Sequence, residues 1–132
     1  MIYLDTNIFV YASINNGAEG EKCRKLLDKF VASNVEIATS VLTWDELVYS
    51  IWKKVSKENS IIQGGNFLKF PNLIFLQSNV QIINDAQKFV ENYGLKPRDA
   101  IHVATALINK CESIVSDDSD FDKIKEIKRI KI

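Results

Sequence analysis

The feature that most constrains this chain is an alternation of short apolar runs with longer stretches of helical period. Residues 1–4, 35–38, 73–76 and 114–116 are too short and too apolar to be amphipathic helices, and each is bounded by turn or polar residues. They read as strands covered on both faces, and 127–130 reads as a fifth. Helical patterns fill the intervals: 7–13, 21–32, a long one from Ser40 to about residue 56, 60–70, 79–92 and 97–110. The residues 14–20, INNGAEG, form a turn cluster, and Gly64-Gly65 is expected to interrupt the helix at 60–70. Gly94 ends one helix and Pro97 starts the next. Strands alternating with helices predict an α/β fold, a three-layer α/β/α sandwich with a central, mainly parallel sheet of four to five strands.

The whole chain, 1–132, is expected to be one domain, since 132 residues suffice for a hydrophobic core and no linker, repeat or low-complexity tract divides it. Apolar residues make up 46% and charged residues 26%, which excludes intrinsic disorder. Seventeen basic residues balance seventeen acidic ones, so any nucleic-acid contact must come from a local patch. The amino-terminal residues MIYL run straight into Asp5, without the basic start and longer apolar run of a signal peptide. No stretch approaches the length needed to cross a bilayer. A cytoplasmic protein is expected, with Cys23 and Cys111 as buried thiols in a reducing compartment.

The acidic residues fall where an open parallel sheet binds ligands, beyond the carboxyl ends of its strands. Asp5 directly follows the first strand, and Asp117, Asp118, Asp120 and Asp122 follow the fourth. Asp5 could instead cap the next helix, a job that Thr6 or Asn7 could also do, and the later aspartates could form a solvated loop. Glu46 lies in the first turns of the long helix and Asp99 in the first turn of the helix opened by Pro97, positions that the helix dipole alone would favour. His102, the only histidine, stands three residues after Asp99, and a lone histidine on so apolar a helix is most simply a satisfied core residue. Read together, Asp5, Glu46, Asp99 and one or two of Asp118 and Asp120 are oxygen-only donors on separate elements. Such a set suits Mg²⁺ or Mn²⁺ rather than zinc. Without a cation, carboxylates in one cleft repel one another and some take up protons. Other phosphate chemistries fit less well. An aspartate-nucleophile phosphatase wants an aspartate where Asn7 stands, a receiver wants one after the third strand where Leu76-Gln77-Ser78 has none, and no P-loop or dinucleotide glycine motif occurs.

In order along nearly the whole chain, the sequence resembles a PIN domain, the PilT amino-terminal nuclease fold. The resemblance is carried by Tyr3-Leu4-Asp5-Thr6-Asn7-Ile8-Phe9, by residues 39–47 (TSVLTWDEL), by Pro97-Arg98-Asp99-Ala100-Ile101-His102-Val103-Ala104-Thr105-Ala106, by Val115-Ser116-Asp117-Asp118-Ser119-Asp120-Phe121 and, more weakly, by residues 127–130. It implies that Asp5, Glu46 and Asp99 match the most constant acidic positions, Asp118 the usual fourth and Asp120 the next. Asp117 falls on a variable position. Asn7 and Ser116 match polar residues that support the carboxylates, and Thr6 and Ser40 match more weakly. Histidine at position 102 is tolerated by the family without being required.

The resemblance further implies metal-dependent cleavage of RNA. Asp5, Asp99 and Asp118, with Asp120, would hold one or two Mg²⁺ or Mn²⁺ ions, and Glu46 would bind metal or orient the attacking water. Many small members are VapC-like toxins held by a cognate antitoxin, and homodimers are common among them. The competing expectation is a catalytically silent PIN-like module that binds RNA or protein. Basic residues available for the RNA backbone are Arg98 and, along the long helix, Lys53, Lys54 and Lys57, with Lys123, Lys125, Lys128, Arg129 and Lys131 making the tail basic. On the long helix Trp44, Leu47, Val48, Ile51, Trp52 and Val55 form an apolar stripe, expected mainly to pack in the core and otherwise to serve a homodimer or antitoxin.

Overall fold

A computed structural model describes residues 1–132. Five strands, β1 (Ile2–Leu4), β2 (Ile37–Ser40), β3 (Leu73–Leu76), β4 (Ser113–Val115) and β5 (Lys128–Ile130), form one sheet in the order β3-β2-β1-β4-β5. Every pairing is parallel, with Ile2 opposite both Ile37 and Ser113, and Ser40 opposite Leu76. Parallel strands need crossovers, and helix pairs supply the first three. These are α1 (Thr6–Ile14) with α2 (Ala18–Ala32), α3 (Leu42–Lys54) with α4 (Lys57–Leu68), and α5 (Val80–Tyr93) with α6 (Pro97–Ile108). A short 3₁₀ turn, Ser119–Lys123, joins β4 to β5.

Side chains of a strand point alternately to opposite faces, and here that divides the core in two. Tyr3, Ala38 and Ile114 pack with Ile82, Ala100, Val103 and Ala104 of α5 and α6. Leu4, Ile37 and Val115 pack with Ile8, Phe9, Leu27, Leu47, Ile51 and Phe67 of α1 to α4. The three-layer sandwich expected from the pattern is thus present, with all five strands parallel. The outer strands are less buried than expected: Ile74 of β3 is exposed, and β5 carries Lys128 and Arg129. Cys23 and Cys111 are buried free thiols, and burial pushes each up to about 11. No helix is long and apolar enough to cross a membrane.

Several element boundaries differ from expectation: β2 is Ile37–Ser40 instead of 35–38, and α2 starts at Ala18, inside the expected turn cluster. The long helix ends at Lys54, because the Ser56 hydroxyl accepts the Asn59 N–H and caps a new helix, so Lys57 opens α4 instead of extending α3. That new helix runs unbroken through Gly64-Gly65. The two glycines have different reasons. A Cβ on Gly64 would lie 2.8 Å from Val48 Cγ2 and 3.3 Å from Trp44 Nε1, whereas one on Gly65 would meet nothing within 4 Å. Gly64 lets α4 approach α3, and Val48 cannot swing away because β-branched side chains have one good rotamer in a helix. Gly65→Ala should therefore stabilise the domain by up to about 1 kcal/mol through helix propensity. Gly64→Ala should destabilise it by about 1–2 kcal/mol, overpacking outweighing the same propensity gain. Urea unfolding of the two variants reads the opposite signs directly.

Candidate active site

The carboxyl ends of β1 and β4, the middle of α3 and the start of α6 meet at one rim of the sheet. There a cleft of about 400 Å³ is lined by Asp5, Thr6, Asn7, Val10, Tyr11, Glu46, Tyr49, Ser50, Lys53, Lys54, Arg98, Asp99 and Asp118. Helical spacing explains the α3 wall. Leu47 and Ile51 are fully buried in the core, which fixes the rotation of the helix. Glu46, one residue before Leu47, then lies at the edge of the buried face, with Tyr49, Ser50, Lys53 and Lys54 at three, four, seven and eight residues further on the same side.

Asp5 is buried, and it takes up the expected capping role with one oxygen while the other is bonded within the rim. Its Oδ1 accepts the Thr6 N–H at 2.7 Å, capping α1, while its Oδ2 accepts the Ser116 hydroxyl at 2.7 Å. Ser116 is the hub of the rim, since the same hydroxyl accepts the Asp118 N–H at 3.0 Å and lies 3.5 Å from Asn7 Nδ2. Asp118 in turn caps the 3₁₀ turn by accepting the Asp120 N–H at 2.9 Å. One oxygen from each of Asp99, Asp118 and Asp120 lies within 4.8 Å of the others. Asn7 Oδ1 is buried without a hydrogen-bond partner.

The electrostatics of the rim show the strain of gathering these groups. Burial, then the charges of Asp5 and Asp118, push Asp99 up to about 6. Burial raises Asp5 as well, partly offset by His102, Ser116 and the Thr6 N–H. His102 is subject to opposing influences: burial disfavours its imidazolium, but the Glu46 hydrogen bond and the charges of Asp5, Glu46 and Asp99 prevail and raise it. An oxygen-only donor set, three carboxylates with converging oxygens, a raised Asp99 and an orphaned amide oxygen together fit a hard divalent cation.

Several sequence-selected residues stand elsewhere. Lys57 is outside the cleft, its ammonium 5.6 Å above the Trp52 ring. Ser40 does not touch the carboxylates; its hydroxyl accepts the Leu42 N–H at the start of α3. Asp117 is exposed, and Asp122 is engaged by the Arg129 guanidinium at 2.8 and 3.0 Å. Arg129 therefore does not extend a free basic tail, and its third bond, to the Ser116 carbonyl at 3.0 Å, braces the rim from behind. The apolar stripe of α3 is only half core: Leu47 and Ile51 are buried, but Trp44, Trp52 and Val55 are exposed beside Ile61 and Ile62 of α4. His102 is the satisfied buried histidine that its apolar helix suggested, yet its partners belong to the site.

The PIN domain family model matches residues 2–127. The chain is similar to "Ribonuclease VapC6" of Methanocaldococcus jannaschii, 23% identical, the match covering 96% of this chain and 97% of that protein. Its fold is similar to that of VapC20 from Mycobacterium tuberculosis, a sarcin-ricin loop cleaving toxin, with a TM-score of 0.79 at 11% identity over 97% of this chain and 98% of that one. It is also similar to a chain of VapBC2 from Rickettsia felis, a complex bound to a DNA fragment from its promoter, with a TM-score of 0.76 at 23% identity over 99% of this chain and 98% of that one.

Proposed function

The chain belongs to the PIN domain family, and from that premise we propose that it is an endoribonuclease hydrolysing RNA phosphodiester bonds with Mg²⁺ or Mn²⁺, acting as the toxin of a toxin–antitoxin pair. The observation that carries this reading is the meeting of Asp5, Glu46, Asp99 and Asp118, from four separate elements, in one cleft whose walls also bear Lys53, Lys54 and Arg98. The relatives named as a ribonuclease and as a cleaving toxin support it. An intact acidic set costs stability without a cation, which weighs against a silent binding module.

Asp99, Asp118 and Asp120, with Asp5 behind them, would hold one or two ions. Such an ion, when bound, would polarise a phosphoryl oxygen and make the attacking water more acidic. Glu46 uses Oε1 to bond His102, which leaves Oε2 to accept a proton from the attacking water. The water oxygen attacks phosphorus in line, the bond to the 3′-oxygen breaks, that oxygen takes up a proton from solvent, and Glu46 returns its proton to solvent. Arg98, Lys53 and Lys54 grip the flanking phosphates. The exposed apolar side chains of the α3–α4 hairpin, Trp44, Trp52, Val55, Ile61 and Ile62, form the surface we assign to protein partners, a cognate antitoxin and a second copy of the chain.

The test is RNA cleavage by the purified chain in EDTA, then with Mg²⁺ or Mn²⁺ added back. Cleavage should be absent in EDTA and restored by either ion, and RNA affinity measured in Ca²⁺ should fall steeply with added salt. Equal cleavage with and without metal, or none under any condition, overturns the reading.

A further inference from the structure

His102 is fully buried, yet each of its ring nitrogens is committed to a partner of a different kind. Nδ1 lies 2.6 Å from the hydroxyl of Tyr3, a β1 side chain with no solvent exposure. The two rings meet edge to face, with centroids 5.7 Å apart. The Tyr3 hydroxyl is itself fixed, because it accepts the Ser40 N–H at 3.0 Å at the end of β2. On the other side Nε2 lies 2.7 Å from Glu46 Oε1, 3.2 Å from Thr6 Oγ1 and 3.7 Å from Asp5 Oδ1. Glu46 as a carboxylate can only accept, so Nε2 carries a proton and donates it.

We propose that His102 is a positioning residue for RNA cleavage, wedged between Tyr3 and Glu46 so that the sheet core sets where the Glu46 carboxylate stands relative to Asp5. This rests on the ribonuclease reading. A glutamate on a helix rim has three side-chain torsions to fix, and fixing them costs conformational entropy. The bond to an imidazole that is itself locked by Tyr3 meets that cost before substrate arrives, as outer partners do for groups that act directly. The chain Ser40 N–H, Tyr3 hydroxyl, His102, Glu46 joins the end of β2, two residues before α3, to a side chain in the second turn of α3, so the entry to the helix and its carboxylate are held by one buried phenol.

Two substitutions separate the sides of the ring. His102→Asn retains an amide, able to donate or accept, near the Nδ1 position facing Tyr3 and loses the contact to Glu46. His102→Gln retains an amide that reaches toward the Nε2 position. With Mn²⁺ present, His102→Asn should lower kcat about 10–100-fold, as loss of an outer partner does elsewhere. Its KM for RNA should stay within about twofold, and His102→Gln should recover most of the loss. In a Glu46→Ala background His102→Asn should cost nothing further, because the residue acts through Glu46. A second readout needs no activity. His102 is the only histidine, so its ring proton and nitrogen resonances are unambiguous. In metal-free protein they should shift on Glu46→Ala and hold on Lys54→Ala.

Equal losses in the Asn and Gln variants, or an undiminished further loss in the Glu46→Ala background, overturn the proposal. So do imidazole resonances indifferent to Glu46. If the wild-type chain cleaves no RNA, the ribonuclease reading fails by itself, and the resonances alone decide whether His102 holds Glu46.

Discussion

Asp5→Asn leaves the domain folded and removes RNA cleavage, by a factor on the order of 10³ or more, comparable to deleting a preorganised electrostatic group from a transition state. The two halves of that expectation come from the two oxygens. Asn is as good a helix cap as Asp, and its carbonyl can take over the Thr6 N–H that Oδ1 accepts, so α1 starts where it did. The amide nitrogen replaces Oδ2, and the Ser116 hydroxyl can rotate to accept from it. Stability should therefore stay within about 1 kcal/mol of wild type, the loss of a charge whose burial already disfavoured it offsetting a weaker bond. What the amide cannot replace is the negative charge at the centre of the rim. Asp5→Ala would lose the cap as well and cost about 1 kcal/mol more. Thermal melts followed by circular dichroism and a gel assay of RNA cleavage in Mn²⁺ check both halves. An Asn variant that cleaves like wild type at matched purity removes Asp5 from the chemistry.

Asp5 was legible in the sequence because two independent patterns fall on it: the end of a buried apolar run, and the opening motif that resembles the PIN family. Glu46 and Asp99 were legible only through the resemblance. A helix dipole accounts for a first-turn carboxylate equally well, and nothing in helical period says which rim of a helix faces a cleft. Once Leu47 and Ile51 are seen to be buried, the rotation of α3 is fixed and the cleft positions of Lys53 and Lys54 follow from spacing alone. Lys57 lies outside the cleft because Ser56 caps a new helix, and a serine before a polar run is a weaker signal than the apolar period that continues through Val55.

Tyr3 and His102 were hidden for a different reason. Each looks like core by its neighbours, and each is core; what pattern reading cannot supply is that the hydroxyl of one meets the ring of the other across 99 positions of sequence. Arg129 was concealed in the same way, since a lysine-rich tail gives no sign that one member forks onto Asp122 and Ser116. Helical period marks which residues of the aromatic stripe share a face without saying whether another element covers it, and α4 covers only part.

Asp99→Asn should make the metal-free domain more stable at pH 7.5 while leaving it unable to respond to metal. The wild-type carboxyl titrates near 6 in the folded chain, above its ordinary value of 3.8. The folded state therefore binds this proton more readily than the unfolded state, and between those values stability falls as pH rises. The cost is absent below 3.8, develops through the interval and is complete above about 6. Burial raises Asp5 too, so both carboxylates act in the same direction. Because Asp99 is half-exposed, screening leaves only about 1 kcal/mol of the nominal penalty. Removing it should raise the melting temperature in EDTA by about 3–5 °C at pH 7.5, and by progressively less as the pH is lowered toward 4. Mn²⁺ reverses the ranking. A cation bound only by the folded chain at a hundred times its Kd adds about 2.7 kcal/mol to wild type, and the variant, lacking one of three converging carboxylates, loses most of that gain. Wild type should thus be the less stable protein in EDTA and the more stable one in Mn²⁺. Melting curves that keep the same order in both conditions would show that Asp99 neither bears the strain of the empty cleft nor holds the ion that relieves it.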